Sequence, residues 1–159
     1  MKHTISALVE NKFGVLARVA GLFSGRGFNI SSLAVGETKD PDISRMTIVV
    51  DDQGEPRVME QVEKQLNKLV DVIKIQDFTG QDYIDRELVL VKIKSSAGTR
   101  SEIIEIAQVF RARVVDVARS SLVLEITGAE DKIRAFLELL KHFGIRELVR
   151  TGKIAIARS

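Results

Sequence analysis

The 159-residue chain contains no cysteine. Disulfide bonds, thiolate metal sites and a cysteine nucleophile are therefore excluded together. Histidine is scarce as well: His3 and His142 lie far apart, and neither has a second imidazole or a carboxylate at the spacing of metal ligands. We therefore expect no metal site in this chain.

Long apolar runs and a dominant charge sign are also missing. The apolar runs are short and interrupted by charged residues, and the N-terminus begins with a strand pattern instead of the apolar core of a signal peptide. The formal charge is +2, from 24 basic and 22 acidic residues mixed along the chain, which is weak evidence for nucleic-acid binding. We expect a cytoplasmic protein without a membrane or nucleic-acid partner.

Catalytic groups show no recognisable pattern either. The serine pairs lie in strand or turn contexts without a nucleophile elbow, and the paired carboxylates Asp51 and Asp52 stand at a strand end, where we interpret them as a turn before a helix. Gly25-Arg26-Gly27 resembles the start of a dinucleotide fingerprint, but it follows a helix, and Ile30 stands where the third glycine belongs. We predict no catalytic residue.

The first half of the chain does show a regular apolar periodicity. It predicts strands over residues 4–10, 28–35, 45–51 and 72–78 and helices over residues 15–24 and 58–69. Chains with this order of elements usually form a four-stranded antiparallel sheet with both helices on one face, the ferredoxin-like arrangement. RNA-binding modules share the order, but the third strand here carries none of the aromatic residues that stack on bases.

The second half repeats the same order at an offset of roughly 84 residues, which indicates two domains of one architecture. It predicts strands over residues 87–94, 114–118, 122–127 and 149–157 and helices over residues 100–110 and 129–142. We therefore predict an α+β protein with two ferredoxin-like βαββαβ domains in tandem. The predicted boundaries are 1–78 for the first domain, 79–86 for a linker and 87–159 for the second domain.

Residues 11–36 hold the features that indicate a ligand site. Gly14 precedes a helix whose first turn has N–H groups without intrahelical partners and the positive end of the helix dipole, which suit a carboxylate. Asn29 opens the next strand and brings donors and an acceptor that suit an ammonium group. Together these parts fit a small amino acid. They also fit a plain loop, in which Asn11 is a turn residue, Gly14 starts a helix and Asn29 closes the loop without any ligand.

Several segments, spread over essentially the whole chain, resemble one known protein family. Their combination is specific evidence for that family, whereas any single segment would be weak evidence. They are Asn11-Lys12-Phe13-Gly14-Val15-Leu16, Gly27-Phe28-Asn29-Ile30, Ser32-Leu33-Ala34-Val35, Ser44-Arg45-Met46-Thr47-Ile48, the run from Glu60 to Val72, Arg86-Glu87-Leu88, Leu90-Val91-Lys92-Ile93 and Val114-Val115-Asp116-Val117. These segments resemble the regulatory (small) subunit of acetohydroxyacid synthase, also called acetolactate synthase, which begins with an ACT domain.

The resemblance implies a regulatory subunit without catalytic activity of its own. Such a subunit activates a large catalytic subunit and confers feedback inhibition by valine in branched-chain amino-acid biosynthesis. Thiamine diphosphate, magnesium and FAD are then expected in the catalytic partner, and no cofactor in this chain. The C-terminal domain is the better candidate for tuning or for contact with the large subunit.

The same resemblance implies a homodimer in which ACT domains pair edge to edge and bind valine between them. Carried onto this chain, the effector site combines residues from the start of the first helix of one subunit with residues after the turn of its partner: Asn11, Gly14, Val15 and Leu16 from one, and Asn29 and Ile30 from the other. Position 36 is Gly, and Ser31 stands where relatives can carry an acidic residue; differences at these positions alter effector choice or strength, and valine is the favoured expectation over leucine or isoleucine. The alternative function is a free-standing ACT-domain amino-acid sensor that regulates another enzyme or regulator.

Overall fold

Alternating apolar residues build two antiparallel sheets in the computed structural model, which describes residues 1–159. The chain divides into two compact units, the first formed by residues 1–84 with 153–159 and the second by residues 85–152. Both units follow the order strand, helix, strand, strand, helix, strand. The predicted α+β class with two βαββαβ repeats is therefore confirmed. No helix has the length and apolarity needed to cross a bilayer.

The first unit contains a four-stranded sheet and two helices. Its elements are β1 (Lys2–Glu10), α1 (Val15–Gly25), β2 (Asn29–Glu37), β3 (Ile43–Asp51), α2 (Arg57–Asn67) and β4 (Val72–Asp77). The strands lie in the order β2-β3-β1-β4, all neighbours antiparallel, so β2 and β4 form the edges.

The core of the first unit follows directly from the periodicities. Alternate residues of β1 and β3 contribute side chains to the core, while the helices contribute residues one turn apart, as apolar faces at these two periods require. The buried set is Ile5, Ala7, Val9, Met46, Ile48 and Val50 from the strands and Val15, Val19, Phe23, Met59, Val62 and Leu66 from the helices. Phe28 packs edge-on against Phe23, with ring centroids 6.3 Å apart, and so fixes the turn between α1 and β2.

The second unit repeats this plan. Its elements are β5 (Tyr83–Lys94), α3 (Arg100–Val109), β6 (Arg113–Val117), β7 (Ser121–Gly128), α4 (Glu130–Leu140), a short 3-10 turn (Lys141–Phe143) and β8 (Ile145–Arg150). The strand order is β6-β7-β5-β8. Its core combines Val89, Val91, Ile93, Leu122, Leu124 and Ile126 with Ile103, Ala107, Ile133, Phe136, Leu137 and Leu140.

The two sheets also share their irregularities. β2 carries one extra residue, Ser31, opposite the step from Val50 to Val49, and β6 carries Val115 opposite the step from Leu124 to Val123. The central strands shift register between Leu8 and Val9 in β1 and between Lys92 and Ile93 in β5. Each pair of positions is about 84 residues apart, the offset that the sequence repeat suggests. The repeat therefore extends to the β-bulges, which are specific features of a strand pair.

The end of the chain differs from the prediction of one closing strand over residues 149–157. β8 ends at Arg150, and a separate strand, β9 (Ile154–Ala157), follows. Gly152 has a φ of 85°, a left-handed conformation that interrupts an extended chain. β9 pairs with β5, whose first two residues, 83 and 84, belong to the first unit as β9 does.

The observed division into units also differs from the predicted boundaries. The predicted linker, residues 79–86, contains the start of β5, because a polar segment can still form a strand when a neighbour pairs with its backbone. The units divide between residues 84 and 85, and residues 153–159 group with the first unit instead of the second.

Candidate functional site

The start of α1 lies at a left-handed glycine. Gly14 has φ 83° and ψ −7°, and it precedes a helix with no side-chain cap and no acidic residue in its first turn. The other three α-helices each have a glutamate there, namely Glu60, Glu102 and Glu130. The first turn of α1 therefore places no negative side chain beside the positive end of the helix dipole, so an anion would be stabilised there.

Arg18 lies over this glycine, one helical turn further along α1. Its Nη1 is 3.1 Å from the position that a Cβ on Gly14 would take. Its Nε and Nη2 both contact Asp71 Oδ2 at 2.8 Å, and the Asp71 backbone carbonyl accepts a 2.9 Å hydrogen bond from Glu10 N. Asp71 thus holds the guanidinium beside the helix start. Arg18 is not among the predicted site residues, because helical spacing places it on the outer, exposed face of α1.

One signal in the sequence could have identified Arg18. A helical side chain covers the turn that precedes its own Cα, so a residue four positions after a helix-start glycine lies above that glycine. Arg18 stands four positions after Gly14. A guanidinium there adds a positive charge to the end of the helix that already favours anions.

Asn11 lies in the loop before α1 and is exposed. Its backbone N donates to Asp42 O at 2.8 Å, and its Nδ2 donates to Pro41 O at 2.8 Å and to Glu37 Oε1 at 3.3 Å. These bonds tie the loop to the turn between β2 and β3, as the turn interpretation of Asn11 expects. Its Oδ1 has no hydrogen-bond partner within the chain.

Val15 and Leu16 have different environments although they are adjacent. The side chain of Val15 is in the core at 3% exposure, so only its backbone remains at the helix start, where its N–H donates to Lys12 O at 3.4 Å. Leu16 is 48% exposed and presents an apolar surface next to Gly14. Of these two predicted effector-site residues, Leu16 is the one with its side chain at the surface.

Asn29 and Ile30 are the first two residues of β2. Asn29 is exposed and pairs with Asp51, while Ile30 is half-buried, pairs with Val50 and packs on the core. Strict alternation along this strand would place Ile30 and Leu33 on opposite faces, yet both contact the core. The bulge at Ser31 is the reason, because one extra residue reverses the alternation that follows it.

The six predicted site residues form two groups at opposite ends of α1. Asn11, Gly14, Val15 and Leu16 lie at its start. Asn29 and Ile30 follow its end, where Phe28 N donates to Phe23 O at 3.1 Å and keeps the turn against the last helical turn. α1 has 11 residues and is therefore about 16 Å long. Within one chain, a small amino acid is too short to contact both groups.

A polar network at the start of β1 also escaped the sequence prediction. His3 Nε2 is 2.7 Å from Asp52 Oδ2, its Nδ1 is 2.8 Å from Thr79 Oγ1, and both His3 and Asp52 are buried. Asp52 also accepts hydrogen bonds from the Met1 ammonium at 2.7 Å and from Gly54 N at 2.9 Å. The ammonium bond, followed by the His3 and Gly54 bonds, holds the pKa of the Asp52 carboxyl well below its usual range. This network joins β1 to the ends of β3 and β4.

Family comparisons agree on both halves of the chain. A profile described as an AHAS small subunit-like ACT domain matches residues 5–74. A second profile, described as the small subunit of acetolactate synthase, matches residues 86–159.

Individual relatives match over nearly their full length. A probable acetolactate synthase small subunit of Archaeoglobus fulgidus is 56% identical over 158 residues, which cover 99% of this chain and 98% of the relative. The acetolactate synthase small subunit of Mycolicibacterium smegmatis is 52% identical over 98% of this chain and 91% of its own. The crystal structure of the acetolactate synthase small subunit from Thermotoga maritima superimposes with a TM-score of 0.86 at 40% identity and covers 100% of this chain and 98% of that one.

Proposed function

Because the chain belongs to the family of acetolactate synthase small subunits, we propose that it regulates a catalytic large subunit in two ways. It activates that subunit, and it confers feedback inhibition by valine. The ACT-like domain is consistent with such a regulatory role. Thiamine diphosphate, magnesium and FAD then belong to the large subunit.

The valine site lies between two copies of the chain. The observation that carries this proposal is the length of α1, which separates Gly14 from Asn29 by about 16 Å of helix. Two chains paired through their β2 edges would bring the start of α1 of one copy to the start of β2 of the other. β2 is an edge strand with one unpaired side, as such pairing requires.

Each end of valine has a chemical match in this arrangement. The carboxylate lies at the start of α1, near the Gly14 backbone and the Arg18 guanidinium. The ammonium group contacts the Asn29 amide oxygen of the partner copy, and the isopropyl group lies against Leu16 and Ile30. Burial of a side chain of this size is worth about 1.5–3 kcal/mol. One methylene changes binding only modestly, so leucine and isoleucine compete.

Inhibition follows from a preference for one arrangement of the dimer. A ligand shifts a conformational equilibrium only as far as its affinities for the two states differ. A site that needs residues from two copies provides such a difference, because the geometry of the interface decides whether both halves can contact valine at once.

Titration of the full-length chain with valine, leucine and isoleucine, together with a mass measurement in solution, tests the effector site. We expect a dimer that binds one valine per chain more tightly than the other two amino acids. Reconstitution with the large subunit tests the regulatory role: acetolactate formation should rise when the chain is added and fall again with valine. A large subunit whose rate is unchanged by the chain would contradict the proposal and favour a free-standing sensor.

A further inference from the structure

β6 is an edge strand on which all five residues are exposed. Val114, Val115 and Val117 are 38%, 51% and 58% exposed, respectively. One side of the strand pairs with β7, and the other has no partner strand within the chain. An exposed apolar edge with unpaired backbone groups tends to pair with another strand, and proteins usually protect such edges with charge, proline or a cover.

The protection that such an edge normally has is weak here. β8, the opposite edge of the same sheet, carries Arg146, Glu147 and Arg150 among its six residues. β6 has neither lysine nor proline, and its two charged residues, Arg113 and Asp116, have opposite signs. The bulge at Val115 distorts the edge locally. The same bulge is present in β2, the edge strand through which we propose that two ACT domains pair.

The sequence of β6 is complementary to itself when it is reversed. If a second β6 runs antiparallel with its centre between Val114 and Val115, Arg113 of each strand faces Asp116 of the other, and the two valines face each other. Opposite charges directly across a strand pair stabilise it, and like charges destabilise it. A two-fold interface requires this kind of self-complementarity, in which residue i contacts residue j and j contacts i.

We propose that β6 is an interaction surface for β6 of a second copy of this chain. It is an interface in addition to the one between ACT domains, and it does not depend on the effector. β6 occupies in the second unit the place that β2 occupies in the first, with the bulge at the equivalent position.

A single introduced cysteine tests the contact, since the chain has none of its own. Val115→Cys puts one thiol next to the proposed two-fold axis, and Val149→Cys, on β8 at 54% exposure, is the matched control. Under mild oxidation of the full-length protein, we expect most of the Val115→Cys chains, and few of the Val149→Cys chains, to become covalent dimers. Equal yields from the two variants, or no dimer from Val115→Cys, would overturn the proposal.

A charge exchange gives a second test that does not depend on cysteine. Added to Val115→Cys, Arg113→Asp places like charges opposite each other twice and should slow cross-linking about tenfold. Asp116→Arg should do the same, whereas the two changes together should restore the original rate. Thermal melting of each variant shows that it is folded. Failure of the double variant to recover would contradict the pairing of Arg113 with Asp116.

Discussion

The guanidinium of Arg18 lies beside Gly14, with Nη1 3.1 Å from the position of a Cβ, so a larger residue there would displace the guanidinium by a few tenths of an ångström. Gly14 also has a φ of 83°, which costs other L-residues about 1–2 kcal/mol. We therefore expect Gly14→Ala to lower the free energy of unfolding by about that amount and to abolish valine binding. Urea unfolding and calorimetric titration measure the two effects.

Gly21 in the same helix is the matched control. It lies in the helix interior, and an added Cβ would meet nothing within 4 Å. Gly21→Ala should therefore raise the free energy of unfolding by about 1 kcal/mol, the difference in helix propensity, and leave valine binding unchanged. If both variants lost valine binding, the loss could not be assigned to the start of the helix.

Arg18→Gln should separate binding from stability. The Arg18 side chain of the Arg18–Asp71 pair is half exposed, so loss of the pair should cost less than about 1 kcal/mol of stability. A hydrogen bond from a charged group to a carboxylate is worth more, about 1.5–3 kcal/mol, so valine affinity should fall roughly tenfold to a hundredfold. Lys64→Gln, which removes another exposed ion pair on α2, should leave the affinity unchanged.

Asn29→Ala should abolish inhibition by valine and keep most of the activation of the large subunit. Asn29 is exposed, so its removal leaves the core intact. The reconstituted enzyme provides the measurement, and Asn67→Ala, an exposed asparagine at the end of α2, provides the control. A folded Asn29→Ala protein that had lost both effects would argue against an effector site distinct from the activating surface.

Deletion of Ser31 should remove the bulge and leave the core in place. Ile30 would still pair with Val50 and Ser32 with Val49, so Ile30 and Leu33 would keep their contacts with the core. The part of β2 that follows Asn29 would change its register against β2 of a second copy. We therefore expect valine binding to be lost. Deletion of Val115, the equivalent residue of β6, should have no effect on valine titration.

The stability of the protein should decline in acid through Asp52. The hydrogen bonds from the N-terminal ammonium, His3 and Gly54 hold the pKa of Asp52 below its usual range. A lowered pKa contributes stability that is fully present above the unfolded value, near 4, and is lost as the pH falls below it. Asp52→Asn should therefore melt earlier than wild type at pH 7, and the difference should shrink toward pH 3. Glu60→Gln, at an exposed ion pair, should follow wild type closely.

Local periodicity predicted most of the fold, because burial in each element depends on a repeat that can be counted. The alternation of Ile5, Ala7 and Val9 and the helical spacing of Met59, Val62 and Leu66 both reappear in the core. The bulge at Ser31 could not be predicted in this way, since it depends on which residue of β3 lies opposite.

The candidate site was predicted as a set of residues but not as a geometry. Gly14 was identified from its place before a helix, and it does stand directly before α1, with a left-handed backbone. The contact between Arg18 and Asp71 joins residues 53 positions apart, so no local pattern contains it. Val15 lies on the apolar face of α1 and is buried, which takes its side chain away from the surface where a ligand would bind.

The grouping of residues 153–159 with residues 1–84 makes the first unit discontinuous in sequence, with the second unit inserted into it. A fragment cut at the polar segment 79–86 would therefore lack the C-terminal strand Ile154–Ala157 of its own unit. Reduced stability or solubility of such a fragment would reflect an incomplete fold and would not show that the second unit takes part in effector binding. Dissection of the two units should instead join residue 84 to residue 153 through a short linker.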